Sequence, residues 1–111
     1  MNSIREATST DGMLTLQLFD ADNYYLGFSG CTWHTHGDLL TPEFGVTPYD
    51  AAMSFFDSIL QDRHVICISD RKGYPRDIYI SDDPQAELKY VESDEVFNMR
   101  LWSGAAYEIP A

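Results

Sequence analysis

Short segments in which hydrophobic and polar residues alternate run along the whole chain, and this alternation predicts strands. In residues 13–19, leucines alternate with Thr15 and Gln17, which is the pattern of a half-buried strand. Comparable apolar or alternating runs predict further strands at residues 24–28, 65–69, 77–81 and 97–101. Asp and Asn residues between 20 and 23 are typical of a turn, so the first two strands should form a hairpin.

One segment has helical spacing instead. Thr47 can cap a helix, Pro48 suits the first helical position, and Asp50 falls in the first turn, near the positive end of the helix dipole. Apolar residues between 52 and 60 recur at three- and four-residue intervals. The pattern therefore predicts one main helix over about residues 48–62.

Together these elements predict an α+β fold in a single domain spanning residues 1–111. We expect a mostly antiparallel sheet of about five or six strands, with the main helix packed on one face. Residues 1–12 are polar and are expected to be a loose N-terminal segment. Residues 85–92 fit either a strand or a short helix, and the sequence leaves that choice open.

Charge narrows the classes of partner. The chain carries 18 Asp and Glu against 7 Lys and Arg, a formal net charge of -11. Such a protein repels phosphate backbones and acidic lipid and attracts basic surfaces, so we expect a basic protein as partner, no nucleic acid and no membrane. No apolar run reaches transmembrane length, and Cys31 and Cys67 are too few for a disulfide framework. Residues 1–6 lack the basic start and apolar run of a secretory signal, so we expect no export. These features predict a reduced, cytoplasmic protein whose oligomeric state the sequence leaves open.

An acidic stretch near the C-terminal end is one candidate docking surface for such a partner. Its acids stand against a single Lys89, and the alternative is an ordinary solvated face. The acids are Asp82, Asp83, Glu87, Glu92, Asp94 and Glu95.

The cluster Trp33-His34-Thr35-His36-Gly37-Asp38 is the other candidate site. In an extended segment His34, His36 and Asp38 lie on the same side, and two imidazoles with a carboxylate suit zinc. A further ligand would have to come from Asp50, His64 or a cysteine through the fold. Two other interpretations stay open. The histidines bond to backbone carbonyls at a strand end with Trp33 in the core, or Trp33 and Asp38 anchor a protein partner.

The run from Gly30 through the two histidines to Thr47-Pro48-Tyr49-Asp50 resembles the JAMM metalloprotease pattern, in which a strand leads to His-x-His-Pro and a Pro-Ser-x-x-Asp segment opens a helix. The resemblance implies a zinc-dependent hydrolase with His34, His36 and Asp50 as ligands. The chain departs from that family at Gly37, where the family has Pro, and Glu6 is the only Glu before the cluster. Without a catalytic Glu no general base activates a bound water.

The chain also resembles the immunity proteins of bacterial polymorphic toxin systems. The resemblance rests on the segment from Trp33 to Asp38 before a helix, on the acidity and on the small α+β layout. It implies a protein that is not an enzyme, needs no cofactor, and neutralises a cognate basic toxin by occluding its active site. This is the function we expect from the sequence, and the zinc-dependent metallohydrolase is the alternative.

Overall fold

The computed structural model describes residues 3–109, in which seven strands form two antiparallel sheets. The first sheet has its strands in chain order: β1 (Ser3–Thr8), β2 (Thr15–Phe19), β3 (Tyr25–Phe28) and β4 (His34–His36). The second sheet places β5 (Val65–Arg71) between its two neighbours, β6 (Asp77–Ser81) and β7 (Glu95–Arg100). The α+β, mostly antiparallel single domain predicted from the sequence is confirmed.

Two of the helices lie between the two sheets in the chain, and the third lies between β6 and β7. They are α1 (Gly37–Leu40), α2 (Pro48–Leu60) and α3 (Pro84–Glu87), the last followed by a 3-10 turn over Leu88–Tyr90. The predicted start of the main helix is confirmed, since Thr47 Oγ1 accepts a hydrogen bond from the backbone N–H of Asp50 at 3.1 Å. The helix ends at Leu60, two residues before the expected end. None of the helices within residues 3–109 has the length and apolar character needed to span a membrane.

The two sheets and α2 share one hydrophobic core. Alternation on β2 and β3 points one set of side chains to this core, and the apolar face of α2 covers that set. The same alternation on β5 and β6 contributes four isoleucines from the second sheet. The core is built from Leu14, Leu16, Leu18, Leu26, Phe28, Ala52, Phe55, Phe56, Ile59, Ile66, Ile68, Ile78 and Ile80.

Two expectations differ from the structure. The strands form two sheets rather than one, because the chain leaves the first sheet through α1 and α2 before the second begins. Much of the N-terminal segment expected to be loose is strand β1, and residues 1 and 2 lie outside the described residues. A polar sequence forms this strand because it is an edge, where Arg5 packs its guanidinium 4.1 Å from the Phe56 ring centroid and pairs with Asp57 at 2.6 Å.

Candidate functional site

The centre of the Trp-His cluster, His34 to His36, forms β4, the short edge strand of the first sheet. His34 and His36 alternate with Thr35, so both rings lie on one side of the strand, with their centroids 4.9 Å apart. The Tyr25 ring on β3 stacks on His34 at 4.5 Å. The expected same-side placement of the two histidines is therefore present, supported by an aromatic neighbour.

Both histidines bond to backbone carbonyls. His34 Nδ1 lies 3.0 Å from the Thr32 carbonyl oxygen, and His36 Nδ1 lies 2.6 Å from that of Asp22. A carbonyl only accepts, so each Nδ1 carries the proton and donates. Trp33 is half-buried and packs on the core, 5.9 Å from Phe28 between ring centroids. This arrangement matches the interpretation in which the histidines are tied to the backbone where the strand ends.

The residues of the zinc interpretation are not gathered into one ligand set. Asp50 is exposed in the first turn of α2. In the chain from residue 3 to residue 109, no group of three or more His, Cys, Asp or Glu side chains is arranged to hold a metal ion. His34, His36 and Asp50 thus provide a pair of imidazoles and a separate carboxylate.

Glu6, the only Glu before the cluster, lies on β1 at the opposite edge of the sheet. The register runs from Glu6 through Gln17 and Gly27 to His34, which places Glu6 and His34 in one row across four strands. Three strand spacings separate them by about 14 Å. Glu6 therefore cannot assist a water molecule at the histidines.

Gly37, the departure from the JAMM pattern, is required by packing. Its N–H donates to the Asn23 carbonyl at 2.7 Å, a bond that Pro cannot make. A Cβ atom here would run into the backbone carbonyl of Pro48. Gly37 also begins α1, so Asp38 leaves the strand alternation that the sequence predicted for it.

The turn between β2 and β3 beside this glycine is strained. Asp22, Asn23 and Tyr24 have φ angles of 51°, 58° and 67°, in the left-handed region. That conformation costs a non-glycine residue roughly 1–2 kcal/mol. Bonds from His36 and Gly37 to the carbonyls of this turn hold it in place. Strain of this kind is concentrated at functional sites in proteins.

Most carboxylates of the acidic stretch are bonded within the chain. Glu87 accepts from the Tyr79 hydroxyl and from Ser81 Oγ, each at 3.1 Å. Asp83 caps α3 by accepting from the Ala86 N–H at 3.3 Å. These two acids stabilise α3 against the second sheet.

The far end of the stretch is bonded in the same way. Asp94 pairs with Arg71 at 3.3 Å. Glu95 accepts from the Ser69 hydroxyl and from the Glu92 N–H, and these bonds lower the pKa of its carboxyl. Of the six predicted partner-binding acids here, only Asp82 and Glu92 have no hydrogen bond or ion pair through their carboxylates within residues 3–109.

Asp82 instead lines a cavity of about 320 Å³ together with Trp33 and His34 of the Trp-His cluster. An open depression of about 380 Å³ adjoins this cavity and is lined by His36 and Asp38. Leu39 lines both and is 71% exposed. We call the surface around these cavities the acidic histidine face: Asp22, His34, His36, Asp38, Leu39, Glu43, His64 and Asp82.

Carboxylates outnumber cations on this face. It holds four carboxylates and all three histidines of the chain. No Lys or Arg of residues 3–109 lines either cavity, and the cation Arg63 lines a neighbouring cavity together with Glu43 and His64. Four of the seven cations form ion pairs with other acids, namely Arg5, Arg71, Arg76 and Arg100. The face therefore presents negative potential with an exposed leucine at its centre.

His64 is fixed by its neighbours on α2. The Ser58 hydroxyl donates its proton to the Phe55 carbonyl oxygen at 2.7 Å. Ser58 Oγ also lies 2.7 Å from His64 Nε2, so in the bond between Ser58 and His64 the imidazole N–H is the donor. The imidazole therefore does not take a proton from Ser58, as the base of a nucleophilic pair would. Burial lowers the pKa of His64, and the nearby Asp82 and Glu43 oppose that shift.

Sequence reasoning named only part of this face. It identified His34, His36, Asp38 and Asp82, it considered His64 solely as an extra metal ligand, and it did not name Leu39. Glu43 and Asp22 were not found, because one stands in a long loop and the other in a turn, where an acid is ordinary. The only available signal was the charge of those two loops, which gives no spatial information.

Comparisons with protein-family models, with curated proteins and with solved structures found no match to this chain. The resemblances to JAMM proteases and to immunity proteins therefore depend on the residues of this chain alone.

Proposed function

We propose that this protein binds a basic protein partner through the acidic histidine face and acts by covering the partner's positively charged surface. The observation that carries the proposal is the grouping of four carboxylates, with no lining cation, around the exposed Leu39. Complementary charge of this kind raises association rates and selects partners. An apolar centre inside a polar rim is the usual anatomy of a protein interface.

The class of partner follows from the same surface. Carboxylates on a preformed face can occupy the cationic groove in which a nuclease binds phosphates. We therefore infer that the protein is an immunity protein of a bacterial polymorphic toxin system and that it occludes the active site of a basic toxin. The net charge of -11 supports this class, since a strongly acidic inhibitor suits a basic target.

The zinc-dependent metallohydrolase gains less support from the geometry. It needs a third ligand near His34 and His36 and a general base, and the described residues place Asp50 and Glu6 elsewhere. Metal analysis of the purified protein and of a His34→Ala/His36→Ala variant tests this alternative. Stoichiometric zinc that disappears in the variant would favour the hydrolase over the inhibitor.

Affinity capture with matched variants tests the proposal. The face variant is Asp38→Asn/Glu43→Gln/Asp82→Asn. The control variant neutralises three acids that are exposed outside the face: Glu6→Gln/Glu92→Gln/Glu108→Gln. Wild type and control should retain the same basic protein from a lysate of the source cell, and the face variant should lose it. Equal retention by all three proteins would show that the face is not the binding site.

A further inference from the structure

The 320 Å³ cavity of the acidic histidine face has aromatic walls. On one side His64 stacks on Phe55 with centroids 4.7 Å apart, and Phe44 lies 5.0 Å from Phe55. Trp33 and His34 also line the cavity. Packing on the core and the bond to Ser58 hold these rings, so the walls exist before any ligand binds.

The charged groups of the cavity are two carboxylates. Glu43 comes from the loop between α1 and α2, and Asp82 follows β6, so two separate segments bring them to one opening. Neither forms an ion pair within residues 3–109, and no Lys or Arg there lines the cavity. Arg63 lines the neighbouring cavity with Glu43 and forms no ion pair with it. An aromatic cavity with two carboxylates free of ion pairs has the chemistry of a cation site.

We propose that this cavity receives the side chain of an arginine on the surface of the basic partner. The inference rests on the proposed function, which it deepens by naming the anchor residue. The planar guanidinium stacks on aromatic rings and donates in a fork that matches a carboxylate, whereas an ammonium is a compact, strongly hydrated point charge. A central pocket filled by one Arg is a common hot spot in protein interfaces.

The test uses Nα-acetyl-arginine N-methylamide as the probe. The control is the corresponding citrulline compound, in which an uncharged urea group replaces the guanidinium. The chain has two tryptophans, Trp33 in the cavity and Trp102 outside it. In ¹⁵N-labelled protein, assigned with a Trp102→Phe variant, the indole N–H signal of Trp33 should shift and saturate at millimolar arginine probe. The signal of Trp102 should stay in place, and the citrulline probe should shift neither.

Charge variants sharpen the result. Glu43→Gln and Asp82→Asn should each weaken binding of the arginine probe by about tenfold, the value of one charge-assisted hydrogen bond. Glu92→Gln and Glu108→Gln, outside the cavity, should leave it within about twofold. No saturable shift of Trp33, or an equal shift with citrulline, would overturn the proposal.

These measurements are independent of the protein partner. If the partner is retained by capture but the arginine probe neither shifts Trp33 nor competes, the cavity proposal fails and the proposed function stands. If the probe binds as expected but no basic protein is retained, the proposed function fails and the cation site stands.

Discussion

The acidic stretch from Asp83 to Glu95 and the acidic histidine face, which takes Asp82 from the start of that run, carry the same kind of residue and use it differently. In the stretch, Glu87 and Glu95 accept hydrogen bonds from Tyr79, Ser81 and Ser69. On the face, Glu43 and Asp82 line a cavity without a cation. Acids in the stretch therefore contribute chiefly to folding, and acids on the face remain available to a partner.

The comparison shows that charge counted along a sequence overstates the charge that a partner meets. A carboxylate bonded within its own chain must lose those bonds before it can bind elsewhere, and each such bond contributes about 1.5–3 kcal/mol. The densest run of acids in this chain is therefore the weaker docking candidate. Four scattered acids brought together by loops form the stronger one.

The largest expected effect is the loss of stability caused by a substitution in the backbone that supports the acidic histidine face. Gly37→Ala places a methyl group against the Pro48 carbonyl, so the chain must shift where α1 meets α2. We expect a loss of about 3 kcal/mol in the free energy of unfolding, measured by urea denaturation. Gly73→Ala is the control, since Gly73 has open space around it and only its φ of 86° is unfavourable, and it should cost about 1 kcal/mol. Equal losses would mean that the contact at Gly37 is not tight.

The next effect separates folding from binding in the acidic stretch. Glu87→Ala leaves the Tyr79 and Ser81 hydroxyls without their acceptor and should cost about 2 kcal/mol of stability. Capture of the partner should be unchanged below the denaturation midpoint. Glu92→Ala, exposed in the same stretch, should stay within about 0.5 kcal/mol of wild type. A stable Glu87→Ala variant that no longer binds would reverse the roles assigned to the two regions.

The two regions should lose stability in different pH ranges on acidification. The pKa of His64 is lowered from its ordinary 6.5 by burial, so the unfolded chain binds the proton first and stability falls as pH drops below about 6.5. The pKa of Glu95 is lowered from its ordinary 4.5, so its contribution is complete above pH 4.5 and is lost only below it. Denaturation midpoints between pH 7 and 5 should fall in wild type and fall less in His64→Gln. Parallel curves for the two proteins would contradict this assignment.

A small effect is expected on the stability of the face variant. Asp38, Glu43 and Asp82 form no ion pair within residues 3–109, and the one hydrogen bond to their carboxylates there is the long, exposed contact of 3.5 Å from Asn23 Nδ2 to Asp38 Oδ2. The triple substitution should therefore change the free energy of unfolding by less than about 1 kcal/mol. Thermal unfolding of the face and control variants provides the check. A large loss in the face variant alone would mean that its carboxylates are structural after all.

Local signals predicted the elements of this fold well. Leucine alternation predicted β2, and Thr47 with Pro48 predicted the start of α2, because these features depend on neighbours in the sequence. Strand β1 was missed because an edge strand that contacts the core through the Arg5 guanidinium over the Phe56 ring shows no apolar pattern. The division into two sheets depends on long-range pairing, which periodicity does not encode.

The sequence predicted only those features of the site that depend on neighbouring residues in the chain. The spacing of His34 and His36 placed both rings on one side of a strand. The hydrogen bond from His36 Nδ1 to the Asp22 carbonyl, however, forms only because β4 lies beside the turn that contains Asp22. The approach of Glu43 and His64 to Asp82 joins segments that lie about 20 residues apart. Burial and hydrogen bonding, which decide whether Glu87 or Asp82 is available, exist only in the folded chain.

The most direct test of the account is the affinity of the captured partner for the two triple variants, measured by calorimetry at matched ionic strength. Both variants have lost three negative charges, so any difference comes from where those charges lie. We predict a loss of about 100-fold for Asp38→Asn/Glu43→Gln/Asp82→Asn and less than about threefold for Glu6→Gln/Glu92→Gln/Glu108→Gln. Equal losses in the two variants would show that overall charge, and not the acidic histidine face, attracts the partner.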